Sequence, residues 1–106
     1  MYEYKGIVTK VVDGDTLQIS VDVGFRLRID ERFRILGINA PDRGEEGYKE
    51  SKEFLEELIL NKEVIVKTYK ADGFRRWLAY VEFDDGNEIL DVGSLMLVRG
   101  LATAYK

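Results

Sequence analysis

Several stretches of the chain alternate apolar and polar residues with a period of two. Leu17, Ile19, Val21 and Val23 are separated by Gln18, Ser20 and Asp22, the pattern of a strand with one buried face. Residues 6–12 are likewise rich in Val, Ile and Thr, and Asp13-Gly14-Asp15 divides them from the run over 16–23. An Asp-Gly step between two such runs predicts a hairpin. Residues 25–38 continue the alternation, with Phe25, Leu27 and Ile29 set against Arg26 and Arg28, and predict a long third strand interrupted near Asp30-Glu31.

Between residues 47 and 60 the period changes. Phe54, Leu55, Leu58 and Ile59 fall on one side, and Glu50, Lys52, Glu53, Glu56 and Glu57 mostly on the other. This predicts an amphipathic helix with Asn61 as its stop. Residues 64–69 and 77–83 predict two further strands, Asp85-Gly86 a turn, and Asp91 the cap of a short helix over 92–99 that ends at Gly100. Three strands, a helix, two strands and a short helix predict a mainly β fold: a five-stranded OB-type barrel with a helix after the third strand and a short C-terminal helix. An α+β sandwich shares this order of elements, so the pattern alone leaves both open.

Composition narrows the chemistry more than the fold. The 106 residues suffice for one domain over 1–106. At 45% hydrophobic and 34% charged residues the chain reads as globular. No apolar run approaches the roughly 20 residues of a membrane span, and the first ten residues carry no signal-peptide pattern. A cytoplasmic monomer with no membrane partner is therefore expected. Cys and His are both absent, which excludes disulfides, thiolate and imidazole metal ligands and the commonest general base. Acid, base or metal chemistry must run on carboxylates, Tyr, Lys and Arg. The net charge of −4 argues against a generally basic polyanion-binding surface. Arg26, Arg28, Arg32, Arg34 and Arg43 nevertheless fall within eighteen residues, a cluster that reads equally as a solvated face.

Three constellations could carry chemistry. Asp13-Gly14-Asp15-Thr16 brings two carboxylates to a hairpin tip, where their repulsion is relieved by a cation; the same residues also make an ordinary turn. In Arg32-Phe33-Arg34-Ile35-Leu36-Gly37-Ile38-Asn39-Ala40-Pro41-Asp42, a strand delivers Arg34 and then turns. Pro41 fixes its own φ and biases Ala40 toward extended backbone. The turn can present the Asn39 side chain, the Ala40 carbonyl and the Asp42 carboxylate together, the oxygen donors a hard cation takes, or it is a strand-to-helix loop with polar tips. In Arg75-Arg76-Trp77-Leu78-Ala79-Tyr80, Arg76 offers paired planar donors to a phosphate or makes a surface ion pair. Trp77 and Tyr80 are expected to pack in the core.

Taken together and in this order, these segments resemble the staphylococcal nuclease-like, or thermonuclease, family. Asp13-Gly14-Asp15-Thr16 resembles its first-hairpin motif, Arg34 to Asp42 its R-L-x-x-I-D-x-P-E segment, and Arg76-Trp77-Leu78-Ala79-Tyr80 its R-x-L-A-Y strand. Residues 88–102, closing in Leu97-Val98-Arg99-Gly100-Leu101-Ala102, resemble its N-x-x-L-V-x-x-G-L-A helix. The resemblance spans nearly the whole chain. It implies a Ca²⁺-dependent phosphodiesterase, an endonuclease or exonuclease acting on single-stranded DNA or RNA. Asp15 would be a direct metal ligand with Asp13 close behind, Asn39 the second ligand and the Ala40 carbonyl the third. Asp42 would handle the attacking water, Arg34 and Arg76 would clamp the scissile phosphate, and Phe74 and Tyr105 would pack on the nucleotide.

Two departures from the family pattern predict reduced activity. Asn39 stands where the family carries Asp, which removes a negative charge from the cation site and weakens binding. Asp42 stands where it carries Glu, which draws the carboxylate back by about 1.5 Å. The alternative is an OB module that binds nucleic acid through Arg34, Arg76 and exposed aromatics without cleaving it.

Overall fold

A computed structural model describes residues 2–71 and 76–105. Its elements are β1 (Tyr2–Asp13), β2 (Thr16–Asp22), β3 (Arg28–Ile35), β4 (Ile38–Asn39), α1 (Tyr48–Ile59), β5 (Glu63–Ala71), β6 (Trp77–Asp84), β7 (Ile89–Asp91), α2 (Val92–Val98) and β8 (Thr103–Ala104). The main sheet runs β3-β2-β1-β5-β6-β7. β3 also pairs in parallel with β6, through Phe33↔Trp77, Arg34↔Leu78 and Ile35↔Ala79. That pairing closes β1, β2, β3, β6 and β5 into a five-stranded barrel, which leaves these strands no free edges. The OB barrel is the fold, and the open α+β sandwich is not.

The barrel is filled by the inward half of each alternating strand: Val8, Leu17, Ile19, Phe33, Ile35, Val64, Val66, Ala79 and Val81 are all buried. Leu55 and Ile59 of α1 are fully buried against it, as are Val92 and Met96 of α2. Each Leu or Ile sequestered in this way contributes about 1.5–3 kcal/mol. Asn61 stops α1 by adopting a left-handed φ of 63°, and its N–H donates to the Val8 carbonyl at 2.7 Å. The Asp91 carboxylate caps α2, accepting from the Ser94 N–H at 2.9 Å.

The exit of α2 matters more for the site. Gly100 takes a φ of 70°, its N–H reaching the Leu97 carbonyl at 3.1 Å while the Leu101 N–H reaches Met96 at 2.9 Å. This is a Schellman closure, and it turns the chain back so that β8 pairs with β4, Ile38↔Ala104 and Asn39↔Thr103. Neither β4 nor β8 is foreshadowed by alternation, because each has only two residues.

Two expectations are corrected. The third strand is continuous through Asp30 and Glu31, whose partners on β2 are Ser20 and Ile19, and it begins only at Arg28. Phe25 and Arg26 lie in the preceding turn with φ of 56° and 63°; the Leu27 N–H donates to Gly24 O at 2.9 Å, a type I′ connection. The break falls at Leu36-Gly37 instead. Second, Trp77 and Tyr80 are not core residues, being 38% and 40% exposed. Tyr80 sits on the outer face between inward Ala79 and Val81, edge-on to Tyr69 at 6.3 Å, and Trp77 stands at the open mouth of the barrel. Among the described residues no helix is long and apolar enough to cross a membrane.

Candidate active site

The site begins at the β1–β2 hairpin tip. The Asp13 carboxylate accepts the Asp15 N–H at 3.2 Å. Asp15 is 6% exposed; its Oδ1 accepts the Thr16 hydroxyl at 3.1 Å and its Oδ2 the Ala40 N–H at 3.0 Å. Burial, and then the adjoining Asp15 carboxylate, push Asp13 up to about 6, because both effects disfavour a second negative charge. The tip approaches the rest of the fold closely because Gly14 has no side chain. A Cβ there would overlap Ser51 Oγ and stand 2.7 Å from Ala40 Cβ.

Arg34 is held from four sides. Its Nη1 donates to the carbonyls of Ile35 at 3.1 Å and Ile38 at 3.0 Å. Its Nη2 donates to Asn39 Oδ1 at 3.2 Å and stands 3.5 Å from Asp15 Oδ2. The Tyr105 ring lies beneath the guanidinium, 5.3 Å from Cζ to centroid, within cation–π range. Tyr105 is fixed in turn by its N–H to Gly37 O at 3.0 Å, and the Thr103 hydroxyl donates to Asn39 O at 3.2 Å. The β4–β8 pair therefore clamps the Asn39 turn and supports Arg34. Arg34, Arg76 and Tyr105 line one cavity of about 270 Å³.

Thus Asp13, Asp15, Arg34, Asn39 and Ala40 form one bonded cluster, and Arg76 and Tyr105 join Arg34 at its edge. Asp42 stands apart from that bonded cluster, exposed on the following loop. What holds it is Glu45, whose carboxylate accepts the Asp42 N–H at 2.6 Å while the Glu45 N–H returns to Asp42 O at 2.9 Å. Glu45 also lines a second cavity of about 380 Å³ with Asn39 and Ala40. Sequence reasoning passed over Glu45, although an acidic residue three places after Asp42 is the spacing of a reciprocal capping box. Phe74 lies outside the described residues. On the outward face of β3, Arg28 and Arg32 continue the row that ends in Arg34, with Arg28 steadied by bonds of 2.9 and 2.8 Å to Ser20. The row spans about 20 Å.

The closed OB barrel thus presents a carboxylate pair beside Arg34, which shares a cavity with Arg76. The chain belongs to the family of staphylococcal nuclease homologues, whose profile matches residues 32–106. It is 27% identical to a micrococcal nuclease of Shigella flexneri over 98% of this chain and 60% of that protein. It is 30% identical to an uncharacterised protein of Methanocaldococcus jannaschii over 96% of this chain and 59% of that one. An uncharacterised endonuclease of Escherichia coli is 29% identical over 95% of this chain and 61% of its own length. The chain thus spans about three-fifths of the length of the curated relatives it matches.

Proposed function

We propose that this chain hydrolyses phosphodiester bonds of single-stranded DNA or RNA with the help of one divalent cation, Ca²⁺, and does so slowly. The observation that carries the reading is the sharing of one cavity by Arg34 and Arg76, with the buried Asp15 carboxylate 3.5 Å from Arg34. A phosphodiester is already anionic, so attack on it needs positive charge aimed where negative charge accumulates. The two guanidinium groups supply that positive charge, Arg34 as a fixed cation whose Nη donors face Ile35 O, Ile38 O, Asn39 Oδ1 and Asp15. Arg34 is preorganised for that task by Tyr105 and two backbone carbonyls, so little ordering remains when the phosphate arrives.

The residues around Asp15 suit a hard cation. Asp15, Asp13, the Asn39 amide oxygen and the Ala40 carbonyl would hold it, an all-oxygen set. When bound, the cation would add charge stabilisation and acidify a bound water. Among the described residues no three acidic groups converge to hold a metal, so binding rests on two carboxylates and neutral oxygens and is weak. With no His in the chain, a carboxylate must accept the proton of the attacking water. The family resemblance assigns that role to Asp42, which lies outside the bonded cluster on a loop steadied by Glu45.

Two outcomes test the cation. Ca²⁺ at tenfold its Kd should stabilise the fold by about 1.4 kcal/mol and raise Tm by several degrees, and Asp15→Ala should abolish the rise. A melting curve indifferent to high Ca²⁺ in the parent would remove the metal from the mechanism. Asn39→Asp should bind Ca²⁺ more tightly than the parent in calorimetric titration, because it restores a formal charge to the ligand set. Equal or weaker affinity would take position 39 out of the site.

One observation favours a second reading, an OB module that binds single strands without cutting them. Arg34 already donates to Asn39 Oδ1 and stands 3.5 Å from Asp15 Oδ2, so the guanidinium offsets one of the two carboxylate charges where a cation would act. Incubation with single-stranded DNA and Ca²⁺, with and without chelator, separates the two. Cleavage above the chelated control supports hydrolysis; its absence together with salt-sensitive binding supports the module.

A further inference from the structure

We propose that the open mouth of the barrel is a base-binding subsite that takes one unpaired nucleobase adjoining the phosphate held by Arg34 and Arg76, and prefers bases bearing an amino group. The identity of the polymer rests on the nucleic-acid reading above. The subsite itself rests on a different set of residues.

At this mouth the inward faces of the strands end in aromatic side chains beside the aliphatic Val21, Val23 and Ile29. Tyr2 and Tyr4 of β1, Phe33 of β3 and Trp77 of β6 line a cavity of about 260 Å³, joined by Glu31 and Thr68. Tyr2 is 65% and Trp77 38% exposed, whereas Val21, which also lines the cavity, and Val66 are buried. Grouped exposed rings of this kind mark a surface that is covered in use. The space holds about eight or nine waters at ~30 Å³ each, enough for a flat heterocycle, and aromatic walls favour stacking.

The mouth and the cavity of Arg34 and Arg76 are separate but are lined by neighbouring residues of the same two strands. Phe33 precedes Arg34 and Trp77 follows Arg76, and Phe33 and Trp77 are direct partners across the parallel β3–β6 seam. Successive side chains of a strand point to opposite faces. Arg34 therefore lies on the outer side of the seam and Phe33 in the mouth, with their Cα atoms about 3.8 Å apart. A nucleic-acid strand with its phosphate on the two arginines crosses the rim at Arg76-Trp77 and lowers a neighbouring base onto Trp77.

Glu31 sets what enters. It is half-buried in the wall of the mouth, where a carboxylate repels phosphate and accepts hydrogen bonds from base N–H groups. The amino groups of cytosine and adenine are such donors, and guanine carries one too. Thymine and uracil present one ring N–H between two carbonyls that the carboxylate repels. The Thr68 hydroxyl donates its proton to the Leu78 carbonyl at 2.8 Å, so towards a base it can only accept, and it acts in the same sense as Glu31. A base paired in a duplex has this edge occupied, so the strand must be single.

Trp77 is the only tryptophan, and its fluorescence reports the site directly. The whole chain would be titrated with short oligodeoxycytidine and oligothymidine in chelator, so that no cleavage intervenes. Oligodeoxycytidine should quench or shift Trp77 emission and bind about tenfold more tightly than oligothymidine. Glu31→Gln, with an unchanged Tm, should bring that ratio toward one, and Tyr4→Ala should weaken both oligomers roughly tenfold or more, the loss expected of one stacked base. Arg34→Ala should weaken both but keep the ratio. Binding without any Trp77 response, or a ratio that survives Glu31→Gln, overturns the subsite. Adding Ca²⁺ in parallel reads hydrolysis separately: cleavage with a silent Trp77 removes the subsite and leaves the nuclease, while a cytosine-selective Trp77 response without cleavage does the reverse.

Discussion

Replacing Arg34 with Ala should lower Ca²⁺-dependent cleavage of single-stranded DNA by on the order of 10²–10³-fold, the loss expected when one preorganised donor to a charged transition state is removed. Arg76→Ala should cost a similar factor, because both guanidinium groups border the same cavity. The Arg34 variant should also lose stability. Arg34 donates to Ile35 O, Ile38 O and Asn39 Oδ1 and stands beside Asp15, which is 6% exposed. Its removal leaves buried acceptors unpaired, at about 1–3 kcal/mol, and should lower Tm appreciably. Arg34→Lys keeps the charge but not the planar fork, so cleavage should recover only partly. Turnover at saturating substrate, read beside melting curves, separates lost chemistry from lost structure. A parent without cleavage above the chelated control, and Arg variants that merely bind single strands less tightly, would leave the binding module in its place.

The barrel was legible in the sequence because its information is local. Period-two alternation over Leu17, Ile19 and Val21 reports an inward face whatever those residues meet, and Asp91 and Gly100 bracket α2 with the residues that capping requires. The carboxylate pair and Arg34 could be read for the same reason. What the sequence hid depends on contacts between distant segments. The apolar Phe25 looked like strand, yet it occupies the second position of a type I′ turn because the registers of β2 and β3 demand a connection there. Trp77 looked like core because size and hydrophobicity say nothing of whether a strand end lies inside a barrel or at its rim. Tyr105 was readable only through the resemblance, which gave its neighbourhood; its seat beneath Arg34 follows from the two-residue pairing of β8 with β4, too short to leave a pattern. Glu45 went unnoticed because its function in the loop is a hydrogen bond to the Asp42 backbone, which hydrophobic periodicity cannot reveal.

Gly14→Ala should be the most damaging single-methyl change near the site. Asp-Gly at a hairpin tip is ordinarily explained by turn geometry, and on that ground alanine would cost little, for Gly14 is not among the positive-φ glycines of this chain. The demand here is space. An added Cβ would overlap Ser51 Oγ and crowd Ala40 Cβ at 2.7 Å, and Ser51 and Ala40 are themselves buried at 0% and 4% exposure. Neither neighbour is the far end of a flexible chain, so the tip must move bodily away from α1 and the Ala40 turn. Overpacking of this kind costs about 1–3 kcal/mol, and at about 4–8 °C per kcal/mol for a domain of this size Tm should fall by roughly 4–24 °C. The displacement also stretches the 3.0 Å bond from the Ala40 N–H to Asp15 and separates the carboxylate pair from Asn39. The Ca²⁺-dependent rise in Tm should therefore shrink along with the baseline stability. Ser51→Gly removes the worst overlap, and in the Gly14→Ala background it should restore part of both, whereas alone it should only destabilise. That opposite sign in the two backgrounds is the coupling expected of residues in direct contact. If Gly14→Ala melts within about 2 °C of the parent, less than 1 kcal/mol on the same scale, and keeps its full response to Ca²⁺, the close approach of hairpin, turn and helix is not what holds the carboxylates in place.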